Sequence, residues 1–453
     1  MGAQLAPKTG MVPAKPRLRE HPIDYALRLF GDVRAGEAAT VMLLALNVFL
    51  LLTAYYLLKV AREPLILLGG GAEVKSYASV GQSISLIFVA NFYGWLAARV
   101  NRITLITCVT LFFITNLVIF WVLGVRGVPL GVPFFLWVGI FNIVTIAQFW
   151  SFAADTYDEE QGKRLFPIVG IGSSVGAVAG ATIAGPLIRG RTPFFLMIVA
   201  AAILLSTLFV TYFVHVLEAR RPSREHVHEP VGRGNAFALV ARDPYLLVFA
   251  ILVLVLNYVT KSGDYVLDRM LLAQAGDHAH TLAVSKSEYI GMFKARYFEW
   301  INVLGVAMQM FVVSRVVKYF GLRKALVFVP LASTLGYSVA LAFPLIHVLL
   351  VGRVSESSLD YSLSNTTQQT LWLVTSREAK YKAKQVIDTF FKRAGDTSSA
   401  AVVWLGARYA FETRTFLTIN VALSLVWVAL ALWLGRRFEK RSTAPVASPE
   451  GRS

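Results

Sequence analysis

Long apolar runs alternate with short polar, mostly basic connections along the chain. Six runs fall at about 38–58, 77–98, 103–123, 133–154, 165–188 and 194–217. A polar, charged stretch at 218–243 interrupts them, and six more follow at about 244–261, 289–313, 324–343, 346–372, 385–408 and 416–434. A helix rising about 1.5 Å per residue needs about 20 apolar residues to cross a hydrocarbon core of about 30 Å. The pattern predicts an all-α polytopic membrane protein with twelve transmembrane helices in two six-helix halves. The halves are 38–217 and 244–434, with a basic tail at 1–37, a central loop at 218–243 and a second tail at 435–453.

Composition sharpens this. Of 453 residues, 56% are hydrophobic and 16% charged, and mean hydropathy is +0.59. A soluble domain carries about 25% charged residues. Disordered, collagen-like and polar-repeat architectures are excluded. The basic start has no apolar core directly behind it, so a cleaved signal peptide is not expected. The single cysteine, Cys108, excludes an intrachain disulfide and a cysteine-based metal cluster. The net charge of +17 invites a nucleic-acid reading. Counting alternate loops gives roughly 28 basic residues on one side and about 10 on the other, as the positive-inside rule requires with both termini cytoplasmic. Topology accounts for most of the charge, so the expected partner is the lipid bilayer and not nucleic acid.

Ionisable residues inside the apolar runs are the informative ones. Lys261, Lys294, Arg296, Arg353, Lys392 and Arg393 are basic; Asp264, Glu299, Glu356, Asp360, Asp388 and Asp396 are acidic. Each costs about 2.5–3.5 kcal/mol at a helix centre, so together they would cost roughly 30 kcal/mol or more if all faced lipid. They must pair, sit near an interface, or face an aqueous path. Arg353 with Glu356, and Asp388 with Lys392, have the spacing of pairs on one helix face. Structural pairing and a substrate path both remain open, and the near balance of signs leaves the substrate's charge open.

The first run ends in Lys59-Val-Ala-Arg62-Glu63-Pro64. Two cations one turn apart suit a phosphate or carboxylate; alternatively they snorkel at a membrane edge where Pro64 stops the helix. The acids of Asp155–Glu160 precede the next run, where a helix start favours negative charge. Gly172, Gly176 and Gly180 then form a small-residue ridge suited to close helix packing, and no Gly-Lys-Ser/Thr follows for a Walker-type loop. Ahead of the eleventh run, Lys382 and Lys384 either obey the charge rule or meet an anion at the cytoplasmic mouth. The pairs His226/His228 and His278/His280 lack neighbouring ligands, so no metal site is expected. No nucleophile stands with an acid and a base. Neither an enzyme nor a cofactor is expected.

Two short basic connections, Gly94–Arg102 and Lys318–Lys324, resemble the loop motif of the major facilitator superfamily without its usual acidic residue. Three further blocks resemble the bacterial and plastid-type ATP/ADP carrier family. They are Lys59-Val-Ala-Arg62-Glu63-Pro-Leu, where the family usually has Lys in place of Arg62; Phe149-Trp150-Ser-Phe152-Ala153 followed by Lys163-Arg164-Leu-Phe-Pro-Ile-Val-Gly170-Ile-Gly172; and Tyr361-Ser-Leu with Lys380-Tyr-Lys382-Ala-Lys384, Ile387-Asp388 and Arg393-Ala-Gly395. Two places depart from the family pattern. Asn257-Tyr-Val-Thr260 lacks a following acid, though Lys261 and Asp264 come next, and Asp396 stands where the family often has lysine.

The resemblance implies a major-facilitator-like carrier of the bacterial inner membrane that exchanges ATP and ADP by alternating access. It assigns phosphate recognition to Lys59, Arg62, Lys163, Lys382, Lys384 and Arg393. Glu63, Lys261, Asp264, Arg353, Glu356, Asp360 and Asp388 are left as coupling or cavity residues. Tyr56, Trp150 or Tyr258 would suit a stacked base. The alternatives are a carrier of the same fold for another organic anion, with protons coupled through Asp264 or Asp360, and a non-transporting membrane subunit.

Overall fold

The computed structural model describes residues 33–34, 37–97, 99–157, 159–218, 236–376 and 379–443, and among them every regular element is helical. The first set is α1 (Ala38–Ala97), α2 (Arg102–Val125), α3 (Gly131–Thr156), α4 (Glu159–Ile188) and α5 (Pro193–Glu218). A short α6 (Ala236–Arg242) leads into α7 (Pro244–Thr281), α8 (Lys286–Phe311), α9 (Val313–Ala342) and α10 (Ile346–Leu359). A π-helical turn (Asp360–Ser364) joins α10 to α11 (Asn365–Leu371). Two more π turns (Ala379–Ala383 and Ile387–Phe391) flank the single turn α12 (Lys384–Val386) and lead into α13 (Lys392–Arg408) and α14 (Thr413–Thr443).

Helix α1 is two limbs. Gly71 sits at φ +80 and ψ 179, a conformation that a side chain would disfavour. In a straight helix Glu63 and Lys75 would lie about 18 Å apart along the axis. Instead their side chains meet at 2.5 Å, so the chain folds back at Gly71. Helix α9 breaks in the same way at Gly321, φ +73. The expected loop at 314–324 is therefore mostly helix with a break, because only glycine supplies that turn without strain.

Every expected apolar run falls on helical chain but for single residues such as 312 and 343, with residue 98 outside the described residues. Eight helices among the described residues are long and apolar enough to cross a membrane. Two expected runs merge in α1. The runs at 289–313, 346–372 and 385–408 fall outside that set because charges crowd α8 and π turns divide the other two.

Packing follows small residues and polar bridges. A Cβ at Gly172, Gly176 or Gly180 would meet the carbonyl oxygens of Ala45, Phe49 or Thr53, so the ridge on α4 is a contact surface for α1. Helices α1 to α5 pack on one another, as do α7 to α14, and the two sets meet chiefly through α4 with α8 and α1 with α13, α8 and α7. Polar ties cross that seam: Tyr56 Oη donates to Asn302 Oδ1 at 2.9 Å, and Asn302 Nδ2 donates to the Ala177 carbonyl at 3.3 Å.

One acidic residue pins a helix end. Asp243 caps α7 by accepting from the Tyr245 amide and takes both guanidinium nitrogens of Arg441 on α14, at 2.7 and 3.1 Å. Burial works to raise the Asp243 carboxyl, but the Arg441 and backbone hydrogen bonds hold it below the usual carboxylate range. The acids expected to start α4 act differently: Glu160 pairs with Arg34 and Asp155 with Arg102. Asp158 lies outside the described residues.

Candidate functional site

The sequence spacing that makes these helices amphipathic also builds a cavity of about 270 Å³ between the two sets. The first limb of α1 brings Tyr55, Lys59, Arg62 and Glu63 to it, and the second limb Lys75, Ser76, Ser79 and Gln82. Helix α7 adds Thr260, Lys261, Asp264 and Asp268; α8 adds Lys294, Tyr297, Phe298 and Ile301. Arg353, Ser357, Asp360 and Tyr361 come from α10 and its π turn, and Arg393 and Asp396 from α13. Each group repeats at three- or four-residue steps, the period of one helix face.

Lys59 and Arg62 are not at a helix end. The first limb runs through Pro64 to the Gly71 break, so both cations lie in its interior. Proline forfeits one backbone hydrogen bond, a loss that neighbouring helices compensate in a membrane bundle. The snorkelling expectation is thereby corrected.

Seven Lys or Arg and five Asp or Glu side chains line the cavity among the described residues. Most are paired, as buried charges require. Lys75 bridges Glu63 at 2.5 Å and Asp268 at 2.7 Å, Arg62 meets Glu63 at 2.9 Å, and Lys294 pairs with Asp268. This chain links the turn of α1 to α7 and α8, and so joins the two sets. A second cluster is centred on Arg353, which is 1% exposed. It holds Asp264 and Glu356, each at 2.6 Å, while Tyr337 Oη donates to Glu356 at 2.9 Å. Arg393 is engaged by Asp396 at 3.2 Å.

Lys59 and Lys261 differ from the rest. Neither forms an ion pair among the described residues. The Lys59 ammonium lies 4.1 Å from the centre of the Phe298 ring and 5.0 Å from that of Tyr56, a cation–π cage.

The structure thus gathers Lys59, Arg62 and Arg393 with Glu63, Lys261, Asp264, Arg353 and Asp360, and sets Glu356 directly behind Arg353. It does not gather Lys382, Lys384 and Asp388, none of which lines the cavity. Lys384 donates to Gln369 at 2.7 Å. Asp388 and Lys392, expected to share a face, are both exposed and form no ion pair among the described residues. The Lys163 side chain and the pair His226/His228 lie outside the described residues. Trp150 packs against Phe166 rather than lining the cavity.

Sequence reasoning missed Lys75 and Asp268. Lys75 fell in an expected loop, and Asp268 beyond the expected end of the seventh run at 261. The readable signal was that apolar residues continue past that point, at Tyr265, Val266, Leu267, Met270, Leu271, Leu272 and Ala275, and the structure keeps them in the same helix.

No family model matches the chain. It is similar to ADP,ATP carrier protein 1 of Chlamydia pneumoniae, 21% identical over 335 residues covering 65% of this chain and 63% of that protein. It is also similar to ADP,ATP carrier protein 1 of Chlamydia trachomatis serovar D, 22% identical over 357 residues covering 67% and 64%. The chain spans less than two thirds of the length of these curated relatives. Among solved structures, the nucleoside transporter NupG superposes with a TM-score of 0.61 at 11% identity, covering 89% of this chain and 99% of that one. A bacterial homolog of the human lysosomal transporter Spinster, inward-facing and occupied, gives 0.59 at 14% identity, covering 91% and 100%. The fold is that of these transporter structures, and the chain is an integral membrane protein.

Proposed function

We propose that this chain is a secondary transporter that exchanges ATP and ADP by alternating access. One observation carries the reading. At the seam between the two helix sets, a cavity with more cations than carboxylates holds Lys59 and Lys261 outside any ion pair among the described residues. A phosphate chain supplies negative charge, and charge-assisted hydrogen bonds to lysine and arginine would hold it. Tyr55, Tyr297 and Phe298 beside it offer ring faces for a base. The names of the chlamydial relatives support the nucleotide part.

The same geometry supplies a coupling. Glu63 and Lys75 belong to one set, Asp268 and Lys294 to the other, and their ion pairs close the Gly71 end of the seam. A phosphate entering near Arg62, Lys75 and Lys294 competes with those carboxylates. It thereby binds better when the bridge is open, and only such differential binding shifts a conformational equilibrium. Opening that end while the other closes would move the substrate across. In this reading both termini and the basic loops face the cytoplasm of a bacterial inner membrane. Lys163, Lys382 and Lys384 would handle phosphates at the terminal mouth, and the sets rock as halves 38–217 and 244–434.

The test is exchange in liposomes holding purified protein: labelled ATP outside against unlabelled ADP inside. Uptake that needs internal ADP or ATP is expected. If millimolar ATP and ADP neither exchange nor compete with any transported anion, the nucleotide assignment is wrong. A second reading, a proton-coupled carrier of another organic anion, is favoured by Asp360, which lines the cavity without an ion pair among the described residues. It predicts uptake driven by a pH gradient without internal nucleotide.

A further inference from the structure

A second cavity, of about 510 Å³, opens on the periphery of the bundle where α4, α8 and α10 meet. It shares only Tyr297 with the central cavity. Its walls are apolar: Tyr289, Met292, Phe293, Leu350 and Val354. Trp300, 52% exposed, stands at its edge.

Into this apolar hollow project two guanidiniums, from Arg189 just past the end of α4 and Arg296 within α8. Both residues are exposed, and neither guanidinium forms a hydrogen bond or ion pair among the described residues. The one carboxylate present, Glu299, accepts from Thr182 Oγ1 at 2.9 Å across the α4–α8 seam. Two cations line the cavity against that one carboxylate; a second carboxylate, Glu288, is taken up nearby by the Gly190 amide at 3.0 Å. On the outer face of a membrane bundle the surrounding medium is lipid, and an unpaired arginine there calls for an anionic partner. Arginine side chains hold a phosphodiester by charge-assisted, often bidentate hydrogen bonds.

We infer that this cavity binds an anionic phospholipid, its phosphodiester at Arg189 and Arg296 and its acyl chains along Met292, Phe293 and Leu350. The occupant touches helices of both sets and the back of Tyr297, so it sits where rocking of the sets would be felt. This inference rests on the membrane fold and not on the nucleotide reading, and the two can fail separately.

The experiment is native mass spectrometry of the detergent-purified full chain with equimolar phosphatidylglycerol and phosphatidylcholine of identical acyl chains. The expected result is retention of the anionic lipid by roughly tenfold over the zwitterionic one, from two arginine contacts. Arg296→Gln should abolish most of that preference, and Arg296→Lys should keep it. Arg189→Gln, at an exposed position outside the helix, should lower it in a chain that still melts normally. Equal retention of the two lipids overturns the site. So does a preference unchanged in both glutamine variants, or displacement of the lipid by millimolar glycerol phosphate, which would mark a soluble-anion site.

Discussion

Two side chains show how a single charge is held or left free. Lys59 has ring faces around it and no ion pair among the described residues, which suits a cation that waits for a mobile anion. Lys59→Gln should lower the apparent affinity for exchanged nucleotide roughly ten- to hundredfold, the worth of one charged hydrogen bond at about 1.5–3 kcal/mol. Thermal unfolding should barely move, since no ion pair is lost. A large fall in melting temperature with unchanged exchange would show that Lys59 is structural. Glu37 is the opposite case. It accepts both guanidinium nitrogens of Arg164, at 3.0 and 3.1 Å, and the Gln161 amide at 3.1 Å. Burial works to raise its carboxyl, but these contacts and the Arg34 amide hold it below the usual range. A carboxylate with a lowered folded pKa contributes stability that is complete above its unfolded value of about 4.3 and is lost as the pH falls through the folded value. Melting followed downward from about pH 6 should therefore fall more steeply in the parent chain than in Glu37→Gln. Parallel curves would sink the assignment.

At the scale of elements, the glycine ridge of α4 was legible as packing, and the structure bears it out. Gly176 faces the Phe49 carbonyl across α1, and Thr53 Oγ1 donates to the Gly176 carbonyl at 3.2 Å. Gly176→Leu has no room without driving the helices apart, so loss of about 2–4 kcal/mol and poor recovery of folded protein in detergent are expected. A variant with parental expression and melting temperature would contradict the close approach. What the pattern misjudged were ends. Helix α1 outruns its apolar stretch because Lys59, Glu63 and Lys75 are charged yet interior. Hydropathy marks a charged residue as loop, whereas the helix continues wherever neighbours satisfy the charge.

For the whole molecule, the charge asymmetry of the loops predicts sidedness. With Cys108 replaced by alanine, single cysteines at Gly127 and at Asn101, both exposed turn positions, should differ in intact cells. Only position 127 should react with an impermeant reagent. Equal labelling, or the reverse, would overturn the orientation. Sidedness also decides which way the bridge of Glu63, Lys75, Asp268 and Lys294 faces, because the Gly71 turn lies opposite the termini in the expected arrangement.

The apolar runs alone determined that the chain is helical and membrane-embedded, since burying such runs in lipid leaves no other backbone solution. Local spacing also determined the Arg353–Glu356 pair, three residues apart on one face and found at 2.6 Å. Only the tertiary structure decided which charges meet across helices. Glu63, Lys75, Asp268 and Lys294 are up to 231 residues apart in sequence, and no local pattern signals that they meet. It also decided which cations stay unpaired: Lys59 and Lys294 read alike in sequence, yet one is neutralised by an aspartate and the other left facing a cavity. The reason is that a buried charge is settled by partners brought from distant helices, and those positions are fixed by the packing of the whole bundle.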